Sequence, residues 1–372
     1  MAQRALARVN LAAIERNCAR LGAELDEGTA LCAVVKANGY GHGAVASARA
    51  ALAGGADWVA VATALEAAEL RAGGIDAPLL VMGALSAEEL PIALAADADV
   101  VAWTAPFVAA LRESGRAGVR VHLKLDVGMG RLGTRDADAL LRLAEQVLAA
   151  PGLELAGATT HLPCADENPA TTRAQVAGFR AFGERLRELA PGARLHAANS
   201  AATLAVPESR LDMVRCGVAI YGLDPFGVDP AAHGLEPALE LRSYVAACKP
   251  LAPGESVGYG SRFTAQAPTR TATLPIGYGD GYRRAFSGNG EVLIGGRRHA
   301  IVGRVSMDNV SVELGEGSLA REGDAAILLG ADGDERLTAE ALARRIDTIN
   351  YEITTALTAR VVREYHRDGN PA

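Results

Sequence analysis

Residues 31–43 read LCAVVKANGYGHG. The apolar, β-branched run Ala33, Val34, Val35 predicts a buried strand, cut off at Lys36 and followed by Asn38, Gly39, Gly41 and Gly43, which permit tight turns. A lone lysine thus stands at the mouth of a core strand. Most lysines in such a place reach water, since buried lysines are rare. The alternative is a desolvated amine suited to forming an imine with a carbonyl cofactor. The fold is decided by the recurrence of this unit, a short apolar run closed by polar or turn residues, along the next part of the chain.

Outward from it, strand and helix signals alternate. WVAVA at 58–62 precedes a helical pattern through Leu65 and Leu70, and PLLVMG at 78–83 precedes one from Ser86. ADVVAW at 98–103 leads to a helix near Thr104 and Pro106, which resemble an N-cap and a first-turn proline. RVHLKLD at 120–126, LELAGATTH at 153–161, RLHAANS at 194–200 and DMVRCG at 212–217 continue the series. Counted from residue 30 this makes eight β/α units over roughly 200 residues, the number in a closed parallel (β/α)8 barrel whose active site lies at the C-terminal strand ends. A doubly wound open sheet is the competitor, weakened because no GxGxxG follows the first strand.

Upstream, RALARVN at 4–10 alternates weakly as a strand would, and Leu11, Ile14, Cys18 and Leu21 have helical spacing. Beyond about residue 233 the rhythm changes to short glycine-punctuated segments (RSYVAACKPL, RTATLPIGY, EVLIGG, HAIVGRVSMDNVSVEL, DAAILLG), the marks of a mainly antiparallel β domain. Thr338 is a candidate N-cap for a helical end, followed by INYEIT and a closing strand in ALTARVVREYH. Prolines in DPFGVDP and LEP place the boundary near 224–238, giving a barrel over 9–232 and a β domain over 233–372.

Composition narrows the function. A net charge of −7 with dispersed lysines and arginines leaves no nucleic-acid footprint. Cys18, Cys32, Cys164, Cys216 and Cys248 are odd in number and lack CxxC spacing, which favours structural thiols in a reducing compartment over disulfides or a metal site. No apolar run has the length of a signal peptide core or a bilayer span, so a cytoplasmic protein with no membrane partner is expected.

If the barrel is right, Lys36, Lys124, Asp126, His161, Asn199, Ser200 and Arg215 all fall at strand exits. Each alone could be a rim group with a local hydrogen bond; together they make a site. Ser200 and backbone amides near Gly217 and Val218 are suited to a phosphate, since hydroxyls and turn amides aim donors at anions.

Nearly the whole chain, in matching order, resembles the alanine racemase family: VVKANGYGHG, KLDVGMGRLG, TTHLPCAD, MVRCGVAIYG, SVGYGSRFTAQ, PIGYGDGY, GRVSMDN and INYE. The resemblance implies pyridoxal 5'-phosphate held by Lys36, with Tyr40, Ser200 and Tyr351 near its phosphate and Arg215 facing its pyridine nitrogen. His161 would orient Arg215. It implies alanine as substrate, placed by Arg131 and Met307, with Tyr278 at the entrance. Lys36 would serve as the D-side base and Tyr259, reaching from the partner subunit of a homodimer, as the L-side base. Lys124 would be carbamylated and face Arg131; on the residues alone it is a rim cation beside Asp126. Residues 1–8 would pair with the second domain. Ser306, Val127 and Cys164 depart from common family choices and bear on side-chain specificity. A racemase for serine or several amino acids keeps the mechanism. A decarboxylase on the same plan would lack the VGYG tyrosine, and a cofactor-carrying binding protein would lack the second domain.

Overall fold

In the barrel, both faces of the sheet are covered, so strands such as those at 30–34, 58–61 and 79–81 are continuous apolar runs rather than alternating ones. The computed structural model describes residues 3–372; residues 1 and 2 of the expected first strand lie outside the described residues. After β1 (Leu6–Asn10), the barrel strands are β2 (Ala30–Val34), β3 (Trp58–Val61), β4 (Leu79–Val81), β5 (Asp99–Ala102), β6 (Val119–Lys124), β7 (Leu153–Thr159), β8 (Arg194–His196) and β9 (Met213–Cys216). They form one parallel eight-stranded sheet in the order β8-β7-β6-β5-β4-β3-β2-β9. The seam is bridged where Asp212 N–H donates to Leu195 C=O (3.1 Å) and Arg215 N–H to Ala198 C=O (2.9 Å). The expected eight-unit barrel is therefore present.

The connecting helices follow the predicted spacing with local differences. Leu11–Gly22 buries Leu11, Ile14, Cys18 and Leu21. Ala105–Glu113 has Thr104 at its N-cap and Pro106 in its first turn, but the Thr104 hydroxyl makes no capping bond. The helix expected from Ser86 begins at Leu90, because Ser86 and Glu89 close a separate turn on each other's amides. The run at 194–200 is strand only as far as His196: Asn199 caps a helix, Ser200–Ala205, by accepting from Ala202 N–H.

The second region adds β10 (Leu239–Tyr244), β11 (Ala247–Leu251), β12 (Ser256–Val257), β13 (Phe263–Thr264), β14 (Thr269–Leu274), β15 (Glu291–Ile294), β16 (Arg297–Ala300), β17 (Val310–Glu313), β18 (Ala325–Asp332), β19 (Glu335–Leu337), β20 (Val362–Arg367) and β21 (Asn370–Pro371). Its main sheet runs β16-β15-β18-β10-β1-β20-β21 and is mostly antiparallel; β1 lies between β10, antiparallel, and β20, parallel. Strands β11-β14-β17 form a second sheet, and β12-β13 a separate hairpin. Thr338 caps Ala339–Arg345 as expected, its hydroxyl accepting from Ala341 N–H at 3.1 Å.

Candidate active site

Directly after β2 the chain makes a left-handed turn. Ala37, Asn38, Gly39 and Tyr40 have φ of 52°, 54°, 61° and 51°. For residues other than glycine this costs about 1–2 kcal/mol each, so the surroundings must hold it. Gly39 N–H donates to Val35 C=O (2.9 Å), Gly43 N–H to Asn38 C=O (2.8 Å) and Ala37 N–H to the Glu66 carboxylate (2.6 Å). Asn38 Oδ1 accepts from Ala44 N–H, and buried His42 donates from Nδ1 toward the Gly39 and Tyr40 carbonyls, 3.0 Å from each. Burial pushes the His42 imidazole down to about 4, so it stays neutral in this role. The turn sets Lys36 and Tyr40 on one cleft.

That cleft, with a volume of about 340 Å3, opens at the C-terminal ends of the barrel strands. Lys36, Tyr40, Arg131, His161, Asn199 and Ser200 line it, as do Arg215, Gly217, Val218 and Tyr351. Burial and the Arg131 guanidinium lower the Lys36 amine below the ordinary lysine value. One end is rich in hydroxyls. Tyr40 packs against Tyr221 and Tyr351, with ring centroids 5.2 and 6.0 Å away. Ser200 Oγ accepts from Gly217 N–H (3.1 Å) and Ala219 N–H (3.4 Å), which leaves its own proton to donate. Asn199 has its side chain committed to the cap and to Leu162 C=O, so it shapes the wall.

Arg215 is nearly enclosed, and its terminal nitrogens are all used inside the protein. Nη1 meets His196 Nδ1 (3.0 Å) and His196 C=O (2.8 Å); Nη2 donates to Thr160 C=O (2.7 Å) and Ala197 C=O (3.1 Å). The Nε–H makes none of these bonds and is the donor left for the cleft. Burial lowers Arg215 only to about 10, so it stays charged near neutral pH. Where His161 was expected to orient Arg215, the imidazole that hydrogen-bonds the guanidinium is that of His196, whose Nδ1 lies 3.0 Å from Nη1. His161 lines the cleft, pushed down to about 3 by burial and then by Arg215 and Lys124.

Lys124 is half-buried, and burial, with Arg215 and Arg131, lowers its amine to about 8. Asp126 does not pair with it; that carboxylate accepts from the Gly128 and Gly130 amides and pairs with Arg135 at 3.1 Å. Among the described residues Lys124 has no ion-pair partner within 4 Å, so the rim-cation reading beside Asp126 is not what the fold builds.

Tyr259, Tyr278 and Met307 do not line the cleft of their own chain. They are 71%, 42% and 52% exposed, and all three belong to the second region. Tyr259 sits between β12 and β13, where Gly260 lies against the Arg304 guanidinium. The loops of Tyr278 and Met307 are joined by Tyr278 N–H to Ser306 C=O (3.0 Å) and Gly279 N–H to Met307 C=O (2.9 Å).

The family model described as "Alanine racemase, N-terminal domain" matches residues 9–225, and that described as "Alanine racemase, C-terminal domain" matches 238–365. The alanine racemase of Thermobifida fusca is 42% identical over 378 residues, covering 98% of this chain and 99% of its own. The chain belongs to the alanine racemase family. It is accordingly an isomerase, an amino-acid racemase. Among solved structures, the alanine racemase of Bacillus anthracis with bound L-Ala-P superposes with a TM-score of 0.93 at 34% identity, covering 100% of this chain and 97% of that one. The alanine racemase from E. faecalis gives 0.92 at 37% identity, over 98% of each chain.

Within this alanine racemase fold, sequence reasoning passed over Met82 and Thr355, which also line the cleft, and His196 beneath Arg215. A signal for the amines was present and unused. Lys36, Lys124 and Lys249 are the only lysines among 37 basic residues. A chain that draws nearly every other cation as arginine has kept one of its three lysines in the cleft wall and a second, Lys124, within the electrostatic reach of Lys36, Arg131 and Arg215.

Proposed function

We propose that the chain interconverts L- and D-alanine with pyridoxal 5'-phosphate bound in this cleft. The observation that carries the reading is the convergence on one rim of a depressed lysine amine, an arginine with a single donor to spare and a hydroxyl-rich end. The residues fit such a group: Tyr40, Ser200 and Tyr351 offer donors to a phosphate beside Gly217 and Val218, and Lys36 offers an amine for covalent attachment. When bound, the cofactor supplies an electron sink that acidifies the α-proton of an attached amino acid.

Lys36, with its amine lowered toward the neutral form, takes or returns the proton on the D side. Arg215 presents a donor that does not readily lose its proton, so an aromatic nitrogen facing it is left unprotonated and the sink is weakened, which disfavours side reactions. Asn199 and His161 complete the walls. Arg131 holds the substrate carboxylate. Tyr259 of a second copy supplies the L-side base, with Met307 and Tyr278 narrowing the entrance; the exposure of all three on their own chain supports a homodimer with shared sites. Lys124 as a carbamate would place an anion among Arg131, Arg215 and Lys36, the cations that lower its amine.

On this reading residues 9–232 are the cofactor-binding barrel and 233–372 with β1 the second domain. The product D-alanine serves cell-wall peptidoglycan, and the enzyme works in the cytoplasm without nucleic-acid or membrane partners. Among the described residues no helix is long and apolar enough to cross a membrane. The test is a chiral assay of purified protein against a panel of single L-amino acids, serine included. Racemisation of alanine above all others is expected. Preference for serine or a broad range would shift the substrate, and release of carbon dioxide without inversion would replace the reading by a decarboxylase.

A further inference from the structure

Beneath Arg215 a row of polar side chains descends through the barrel, where layers of branched apolar residues are the usual filling. On β6 the alternating positions Arg120, His122 and Lys124 share one face. His196 Nε2 lies 2.9 Å from His122 Nδ1, and His122 Nε2 lies 2.9 Å from Asp99 Oδ2. Asp99 Oδ1 in turn accepts from Arg120 Nε at 2.5 Å. Asp99, His122 and His196 are fully buried, whereas Arg120 reaches the surface at the far end.

The two ends of this row dictate where every proton between them sits. A guanidinium has only donors, so His196 must accept at Nδ1 from Arg215 and carry its proton on Nε2. That proton goes to His122 Nδ1, so His122 carries its own on Nε2 and gives it to Asp99, a carboxylate that only accepts. Both rings are neutral in this arrangement and no nitrogen is left without a partner. Reversing His196 would set N–H against N–H at Arg215, and reversing His122 would do so at His196 while leaving a bare nitrogen against the Asp99 carboxylate, in each case a buried clash worth more than an ordinary hydrogen bond.

We propose that Asp99 and His122 are positioning residues: by taking up the Nε2–H of His196 along this row they anchor that ring, and through it hold the Arg215 guanidinium with its Nε–H toward the cleft. The functional consequence rests on Arg215 facing the cofactor nitrogen, as argued above; the proton order does not. An Asn at position 99 removes the anion that anchors His122, since its amide must turn N–H either on His122, which reverses the order, or on Arg120, which leaves only a neutral oxygen for His122.

The test uses the full chain with 15N-labelled imidazoles, with and without added pyridoxal phosphate. In the unmodified protein, His122 and His196 should both show protonated Nε2 and bare Nδ1. Asp99→Asn should disturb the His196 signals although residue 99 does not touch that ring. In the loaded protein, cofactor lost as its amine form per racemisation event should rise roughly tenfold, the factor that goes with one hydrogen bond to a charged group. His122→Phe, close in volume, should do the same and serves if the first variant does not fold. A protonated Nδ1 on His196 in the parent protein would overturn the proposal, as would an unchanged side-reaction ratio in variants whose His196 signals have moved. The tautomer measurement needs no cofactor, so it fails or stands apart from the proposed activity.

Discussion

The hydroxyl of Tyr40 occupies the space that a Cβ on residue 217 would need. The glycine and the tyrosine therefore form one wall of the hydroxyl-rich end, and Tyr40 cannot retreat, because Tyr221 and Tyr351 pack its ring.

Gly217→Ala should thus displace Tyr40 and the Ser200 contact together. Overpacking of this kind costs about 1–3 kcal/mol, to be read in denaturant unfolding. Affinity for pyridoxal phosphate, titrated by absorbance, should fall by at least roughly tenfold, the equivalent of about 1.4 kcal/mol. Unchanged affinity would mean that the phosphate end lies elsewhere.

Because the chain has only Lys36, Lys124 and Lys249, the attachment point can be read directly. Borohydride reduction of the loaded protein followed by peptide mass analysis should place the label on Lys36, and Lys36→Ala should lack the visible absorbance of a lysine-bound cofactor. Label on the exposed Lys249, or an unaltered spectrum in the variant, would remove Lys36 from its role.

Lys124 makes a pH-dependent prediction. Its amine falls from the ordinary 10.5 to about 8 in the fold. Between those values the unfolded chain holds a proton that the folded one does not, so this residue makes stability decline as pH falls from 10.5 toward 8 and adds no further decline below. Lys124→Met should flatten that part of the profile. The neutral amine also reacts with carbon dioxide, so 13C-bicarbonate should give a carbamate signal that fades on acidification below about pH 8 and is absent from the variant. A parent protein that shows no such signal would leave Lys124 a plain buried amine.

Tyr259→Phe should retain the cofactor and lose exchange of the α-proton of L-alanine, by roughly 10²–10⁴-fold, the usual weight of a positioned acid or base. Undiminished deuterium uptake would exclude Tyr259. Mixed with inactive Lys36→Ala subunits, the same variant should recover part of the activity in heterodimers, because one of the two clefts then has both groups; no recovery would mean that each chain is self-sufficient.

The barrel was legible because its strands are short apolar runs with period and punctuation of their own, and the rim residues follow from where those runs stop. Strand ends were less so: the 194–200 run reads as strand, but the local bond of Asn199 to Ala202 N–H takes its last residues into a helix. The partner of Arg215 was misassigned for a related reason. His161 stands at a strand exit and draws attention, while His196 lies one step inside, where sequence gives no measure of depth. The alternation of Arg120, His122 and Lys124 on one strand face was the available sign of a polar interior. Contacts between Tyr259 and any second chain have no counterpart in one sequence.

Strand β1 has β10 on one side and β20 on the other. It is made before either, yet its parallel partner emerges from the ribosome only at Val362–Arg367. Through most of synthesis one edge of this strand must wait without a neighbour, open to wrong pairing with other chains. Both edges stand open until Leu239–Tyr244 is made and one until Val362–Arg367 follows, so this strand is covered on both sides only when the polypeptide is almost finished.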